Sequence, residues 1–298
     1  QTILGLNPQS QAVAFGDLNG DGKTDLAVVN PGNNTISVFT NKTVRGSLGA
    51  GDFVLATNLS ASGGPKDVLI TDIDGDGRQD LVSAEESPGA IRVYRNTSTN
   101  APVDLHLTED LSVAVAGGPR AIAAGDINLD GLVDIVTANG AGNTVTIAQN
   151  ASTIGNINWA RFTNYVVGSA PLDVTVADLD GDGRLEIATL EAGGISIRHN
   201  ISTNFFIVME NAVNFGAGTS LADLQILDLD KDGRLDLLVA NSQGASVLLN
   251  RATNVLFDAG AFAAAMDVPA GGAFARVVGG DWDGDGRVDL LGDAGNGA

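Results

Sequence analysis

The chain has 298 residues, 36 acidic and 16 basic, for a net charge of −20, and it contains no cysteine. That charge excludes nucleic acid as an expected partner; without cysteine there is no disulfide framework and no thiol nucleophile. No apolar run approaches the ~20 residues of a membrane-spanning helix, and the length suits one large all-β domain or two smaller ones.

Residues 1–6 read as a lone strand-like piece. Repeat units follow over approximately 7–60, 61–115, 116–167, 168–217, 218–269 and 270–298. In the first unit the apolar stretch Val13-Ala-Phe15 runs into Asp17-Leu-Asn19-Gly-Asp21-Gly-Lys23-Thr-Asp25. Leu26-Ala-Val-Val then reads as a buried strand, short, apolar and β-branched. A third strand, Thr35-Ile-Ser-Val-Phe39, leads to Asn41. The second unit repeats the order: Val68-Leu-Ile70, Asp72-Ile-Asp74-Gly-Asp76-Gly-Arg78-Gln-Asp80, Leu81-Val-Ser-Ala, then Ile91-Arg-Val-Tyr94 and Asn96. The third has Ile122-Ala-Ala124, Asp126-Ile-Asn128-Leu-Asp130-Gly-Leu132-Val-Asp134, Ile135-Val-Thr-Ala, then Thr144-Val-Thr-Ile147 and Asn150. In the fourth stand Val174-Thr-Val176, Asp178-Leu-Asp180-Gly-Asp182-Gly-Arg184-Leu-Glu186, Ile195-Ser-Ile197 and Asn200. The fifth has Leu224-Gln-Ile226, Asp228-Leu-Asp230-Lys-Asp232-Gly-Arg234-Leu-Asp236, Leu237-Leu-Val-Ala, then Ser246-Val-Leu-Leu249 and Asn250. The sixth has Val277-Val278 and Asp281-Trp-Asp283-Gly-Asp285-Gly-Arg287-Val-Asp289, and stops shortly after Leu291. More variable fourth strands are expected, for example over 105–115 and 159–167.

The six loops recur at intervals of 55, 54, 52, 50 and 53 residues, far beyond a chance match. Each offers oxygen-bearing side chains at positions one, three, five and nine, the backbone carbonyl of position seven, and glycine at six for the sharp turn. A hard divalent cation wants six to eight oxygens, so each loop is a candidate cation cage. An EF-hand loop opens the same way but needs a bidentate acid at position twelve and flanking helices. Position twelve here is Val28, Ser83, Thr137, Thr189, Val239 or Gly292, and the flanks read as strands. The first and third loops hold three acids and the others four, 22 of the 36. Six dications would bring the net charge from −20 to −8, so metal binding accounts for most of the acidity. Extracellular calcium modules work at ~10⁻⁴–10⁻³ M affinity, which external fluids saturate and the cytosol does not. A secreted or cell-surface location is therefore expected, and a chain that begins with Gln1 agrees with a processed protein or an excised fragment.

Helical periodicity appears nowhere. Four short antiparallel strands per ~50-residue unit read as the blade of an all-β propeller. The phrase Pro-x-x-(apolar)-x-x-x-Asp-x-Asp-Gly-Asp-Gly-x-x-Asp-Leu, followed by a strand ending in Asn, resembles the FG-GAP/VCBS repeat family, which includes integrin α-subunit propellers. Phe162 and the stretch from Gly168 to Pro171 match that phrase best. The resemblance covers nearly the whole chain. It implies a loop between the first and second strands of each blade, binding calcium, up to six ions in all. Departures are Asn19 and Asn128 at position three, Leu129 and Lys231 at four, and Glu186 at nine. The first and third sites are expected to be weakest. Either residues 1–6 close a six-bladed ring, or a seventh blade, usual in the family, is cut off; ragged ends could also pair between molecules.

Asn30, Glu85, Asn139, Glu191 and Asn241 stand thirteen places after each first ligand. They read as residues that open the next turn, against the alternative of a polar ring on one face. Asn33, Asn41, Asn58, Asn96, Asn150 and Asn200 lie in Asn-x-Ser/Thr and are glycosylation acceptors if the source is a eukaryote that secretes the chain; for the recurring Asn41, Asn96, Asn150 and Asn200 the simpler reading is a turn asparagine followed by small polar residues. Trp159 is expected to pack between blades. His106 and His199 have no evident partner, and exposure is expected for both. Enzymatic signals are weak: Gly218-Thr-Ser220-Leu-Ala222 lacks the second glycine of a nucleophile elbow, and only Tyr94 and Tyr165 offer tyrosine bases. The expected function is a non-catalytic adhesion or recognition module for a glycan or protein ligand. The alternatives are a structural subunit of a surface layer or filament, and a carbohydrate-active enzyme such as a polysaccharide lyase.

Overall fold

The computed structural model describes residues 10–44, 49, 51–99, 105–115, 117–203, 206–252 and 257–293. The strand expected over 1–6 lies outside them. The first sheet orders β1 (Val13–Gly16), β2 (Asp25–Asn30), β3 (Thr35–Asn41) and β4 (Phe53–Ser60) as neighbours. The second does the same with β5 (Pro65–Thr71), β6 (Asp80–Glu85), β7 (Ala90–Asn96) and β8 (Leu107–Ala114). The third contains β9 (Pro119–Gly125), β10 (Asp134–Asn139), β11 (Thr144–Asn150) and β12 (Trp159–Val166). The fourth contains β13 (Asp173–Ala177), β14 (Glu186–Glu191), β15 (Gly194–Arg198) and β16 (Val213–Phe215). The fifth contains β17 (Asp223–Leu227), β18 (Asp236–Asn241), β19 (Gly244–Leu248) and β20 (Met266–Pro269). Among the described residues the sixth has two strands, β21 (Arg276–Gly280) and β22 (Asp289–Asp293). These up-and-down antiparallel sheets are the blades of a β-propeller fold, as the strand pattern predicts. The described residues hold no α-helix, one 3-10 turn at Pro31–Asn33, and no helix long and apolar enough to cross a membrane.

The apolar runs after each loop become β2, β6, β10, β14 and β18, buried along their whole length. The fourth strands β4, β8 and β12 are exposed or half-buried along their length, apart from Leu59. The pairing of β3 with β4 shifts at Val38/Phe39 and that of β7 with β8 at Val93/Tyr94, each leaving one extra residue in the fourth strand.

The chain divides into two compact units, one of residues 1–124, 132–142 and 146–163, the other of 125–131, 143–145 and 164–298. Within the first unit, one core joins the first and second sheets through Leu18, Ile36, Val68, Leu81 and Tyr94. Another joins the second and third through Ile73, Ile91, Ile122, Ile135 and Ile157, and Trp159 packs against it. Within the second unit, Leu179, Leu190, Phe215, Leu224 and Leu237 join the fourth and fifth sheets. Leu238, Val247 and Val277 join the fifth and sixth.

Three aspartates absent from the sequence reading tie neighbouring sheets together. Asp67 accepts the N–H of Ile122 at 3.0 Å, Asp173 that of Leu224 at 3.3 Å, and Asp223 that of Val277 at 2.9 Å. Each stands five places before the first loop ligand of its own repeat, a recurrence readable in the sequence.

Candidate metal centres

Each loop is shaped by its own side chains bonding its own backbone. Position one collects the N–H groups that follow it. Asp72 Oδ1 accepts from Gly75 at 2.8 Å and Asp72 Oδ2 from Gly77 at 2.8 Å. Asp17, Asp126, Asp178, Asp228 and Asp281 likewise accept from the glycine at position six. Position three accepts the N–H of position five in all six loops, at 3.0–3.3 Å. Asp21, Asp76, Asp182, Asp232 and Asp285 accept the N–H of position seven. Such tight wrapping needs left-handed backbone at position six, where every residue is glycine with φ between 79° and 88°. Leu129 and Lys231 adopt the same region at position four, with φ of 59° and 64°.

Position nine does more than close a cage. Asp25, Asp80, Glu186, Asp236 and Asp289 each accept the N–H of position two, at 2.8–3.0 Å. The other carboxylate oxygen of Asp25, Asp80, Asp134, Glu186 and Asp236 accepts the backbone N–H of an asparagine at the end of the third strand or two residues past it: Asn41, Asn96, Asn150, Asn200 and Asn250 in turn. The sixth repeat alone shows no such partner among its described residues. The carboxylate therefore joins the loop's entrance to the third strand.

Asn41, Asn96, Asn150 and Asn200, which the sequence offers as turn residues or sugar acceptors, are connectors, and so is Asn250. The side-chain nitrogen of Asn150 donates to Val133 O in its own loop and to Ile73 O at position two of the preceding loop, both at 2.9 Å. Asn96, Asn200 and Asn250 make the same pair of bonds. All four are buried, so the acceptor reading fails for Asn96, Asn150 and Asn200. Asn41 Nδ2 is also committed, to Thr24 O at 3.0 Å. Asn33 and Asn58 are exposed.

Another expectation is corrected at the ends of the second strands. Asn30, Glu85, Asn139, Glu191 and Asn241 are the last strand residues and are buried, rather than opening turns. A buried polar side chain needs partners, and the third strand supplies them. Asn30 donates to Ser37, Asn139 to Thr146 and Asn241 to Ser246, at 2.7–2.9 Å. Glu85 pairs with Arg92 at 2.7 Å. His199 also departs from expectation. Its Nε2 lies 3.1 Å from Asp180 Oδ2, its Nδ1 3.2 Å from Glu210, and its ring stacks on Phe257. His106 is exposed as expected.

Carboxylate oxygens converge within 4.8 Å of one another in four loops: Asp72, Asp74 and Asp80; Asp178, Asp180 and Glu186; Asp228, Asp230 and Asp236; Asp281, Asp283 and Asp285. Burial pushes the Asp80 carboxyl up to about 6, against the pull of the N–H groups of Asn96 and Ile73. Glu186 rises to about 7 for the same first reason, with Asp180 adding repulsion. Asp25, Asp180 and Asp236 also rise, burial again leading. Asp228 Oδ1 is buried without a hydrogen-bond partner, and Asp180 Oδ2 faces only the His199 ring. Crowded, desolvated oxygens with unpartnered lone pairs fit a hard dication, whose charge would offset both the repulsion and the burial.

A model described as an FG-GAP-like repeat matches residues 17–83, 72–137, 126–189 and 228–292, each match opening on a loop. No curated protein matches the chain in sequence. Among solved structures, the chain is similar to an Agrocybe aegerita lectin described as recognising non-reducing terminal N-acetylglucosamine. The TM-score is 0.59 at 19% identity, over 96% of this chain and 75% of the lectin. A protein of unknown function from Desulfotomaculum acetoxidans aligns with a TM-score of 0.56 at 14% identity, over 83% of this chain and 67% of the other. A Bacillus licheniformis rhamnogalacturonan lyase aligns with a TM-score of 0.52 at 16% identity, over 98% of this chain but only 58% of the lyase. These likenesses establish a shared fold.

Proposed function

The chain belongs to the FG-GAP-like repeat family, and from that footing we propose that it is a calcium-stabilised, extracellular β-propeller domain acting as a non-catalytic recognition module. The observation that carries this reading is the repeated loop. Its convergent carboxylates sit where the first strand passes to the second, and through position nine they hold the third strand as well. Calcium at these loops would hold each blade together. The residues would be those at positions one, three, five and nine, with hard oxygens only. Calcium supplies charge compensation there, while the chain's own N–H groups orient the carboxylates.

Recognition rather than catalysis is favoured because the most strongly raised carboxyls, Asp80 and Glu186, are tied to backbone N–H groups in the loops. The likeness in fold to a lectin supports this reading. The test has two arms. Calcium titration should raise the melting temperature and chelation should lower it; an unchanged melt would sink the metal reading. Release of unsaturated sugars from pectic polysaccharide by the purified chain would sink the non-catalytic reading.

A second reading, head-to-tail assembly of copies, is favoured by one observation. The apolar residue at position two is buried in the first four loops, as Leu18, Ile73, Ile127 and Leu179, but in the sixth loop Trp282 is 54% exposed. In the first sheet Phe15 is 64% exposed. Solution mass in calcium, with and without Trp282→Ser, decides it: a monomeric parent chain rejects assembly.

A further inference from the structure

The recognition reading leaves the ligand open, and a comparison of two repeats within this chain narrows it. In the second sheet Glu85 stands opposite Ala90 across the hairpin; in the fourth, Glu191 stands opposite Gly194. The fourth hairpin is therefore two residues shorter. Both repeats carry an arginine seven places after the glutamate, Arg92 and Arg198. The shorter turn slides that arginine one pleat along its strand. Arg92 pairs with Ser83, whereas Arg198 pairs with Ile187 and Ser196 takes the place opposite Thr189.

The consequence is electrostatic. Glu85 is saturated: Arg92 Nε lies 2.7 Å from its Oε1, and the backbone and hydroxyl of Ser62 bond its Oε2. Glu191 keeps the N–H of Gly168, the residue at the place of Ser62, and takes the hydroxyl of Ser196, the residue at the place of Arg92. Arg198 still lowers the Glu191 carboxyl through its charge, but its hydrogen bonds go to the carbonyls of Glu210 and Val166 and its guanidinium lies over the Tyr165 ring. Glu191 is 6% exposed, and its Oε1 has no partner. No guanidinium bonds that oxygen, and Glu191 borders a cavity of about 500 Å³, lined also by Ser169, Ser196, Asn214, Gly168 and Val166.

We propose that this cavity binds a guanidinium group, from an arginine side chain of a partner protein or from a free arginine derivative, with Glu191 as its counter-ion. The proposal rests on the recognition reading above. Arg92 shows within the same chain which group satisfies a glutamate in this setting. A guanidinium carries five N–H donors in a fixed fork and matches a carboxylate two-to-two. The oxygens of Ser169, Ser196 and Asn214 can take the remaining donors. The lining residues include no aromatic ring on which a sugar face would stack. A net charge of −20 draws cations and repels anions. Burial raises the Glu191 carboxyl, and a bound cation would reverse that rise. Gly168 is part of the design, since a side chain there would collide with Glu191 Oε2.

The test is calorimetric titration of the full chain in millimolar calcium with N-acetyl-arginine amide and with a capped Gly-Arg-Gly peptide. N-acetyl-lysine amide and N-acetylglucosamine serve as comparators. The expected result is binding of both guanidinium probes, at least about tenfold weaker in Glu191→Gln. Binding should be absent in Ser196→Arg, which supplies the guanidinium internally and melts no lower than the parent. A peptide that binds tighter than the amide identifies a partner's side chain; equal affinities identify a free solute. The proposal is overturned if neither guanidinium probe binds at millimolar concentration, or if Glu191→Gln leaves the affinity unchanged. N-acetylglucosamine binding that disappears in Glu191→Gln also overturns it. Calcium-dependent melting of the same samples reports on the metal reading separately.

Discussion

The side-chain nitrogen of Asn96 lies 2.7 Å from the carbonyl oxygen of Leu18, 78 positions earlier. The same nitrogen reaches Gln79 O at 3.0 Å, and Asn96 Oδ1 accepts from Ser98. One buried amide thus joins two consecutive loops. Removing it strands the buried carbonyl of Leu18, at about 1–3 kcal/mol, and the half-buried carbonyl of Gln79, at less. Asn96→Ala is expected to destabilise the chain by about 3 kcal/mol in urea unfolding, and Asn33→Ala, at an exposed position, by almost nothing. Equal effects would show that the connector carries no stability.

Metal removal should act through the same connectors. With the loops emptied, three or four carboxylates repel one another at each site while position nine still has to hold the third strand. Chelation is expected to lower the melting temperature by about 5 °C or more. Asp76→Ala should reproduce part of that loss even in saturating calcium. Sites with asparagine at position three carry less charge, so Asn128→Asp should tighten the weakest class of calcium sites in a stoichiometric titration.

Leu129 and Lys231 occupy left-handed backbone where the first, second, fourth and sixth loops have glycine. A side chain in that region costs roughly 1–2 kcal/mol, partly offset by the extra freedom glycine has when unfolded. Leu129→Gly and Lys231→Gly should each stabilise the chain, by up to about 1 kcal/mol. A lower melting temperature for both would mean that the side chains earn their place by contacts outside the loop.

Burial raises the Glu191 carboxyl above its ordinary value, outweighing the Gly168 N–H and the Ser196 hydroxyl. The folded chain therefore holds this proton more tightly than the unfolded chain. The contribution of Glu191 to stability is fullest at low pH and is lost as pH rises from the ordinary carboxylate range through the raised value. Glu191→Gln does not titrate. In saturating calcium, with no ligand, its melting temperature relative to the parent should climb as pH goes from about 4 to about 8. A gap that stays constant would contradict a buried, ionising Glu191.

The sequence by itself determined the six loops, the strands beside them and the β-propeller class. Those signals are local. A nine-residue pattern of oxygens and glycine specifies its own turn, and a four-residue apolar run after it can only be a buried strand. Tertiary structure decided the rest. Asn150 looks like any turn asparagine until Ile73 is brought against it, and His199 looks solitary until it meets Asp180. Glu85 and Glu191 hold equivalent places in their repeats. Their surroundings differ because a hairpin shortened by two residues moves an arginine one pleat along its strand, and only paired strands turn that deletion into a change of neighbours.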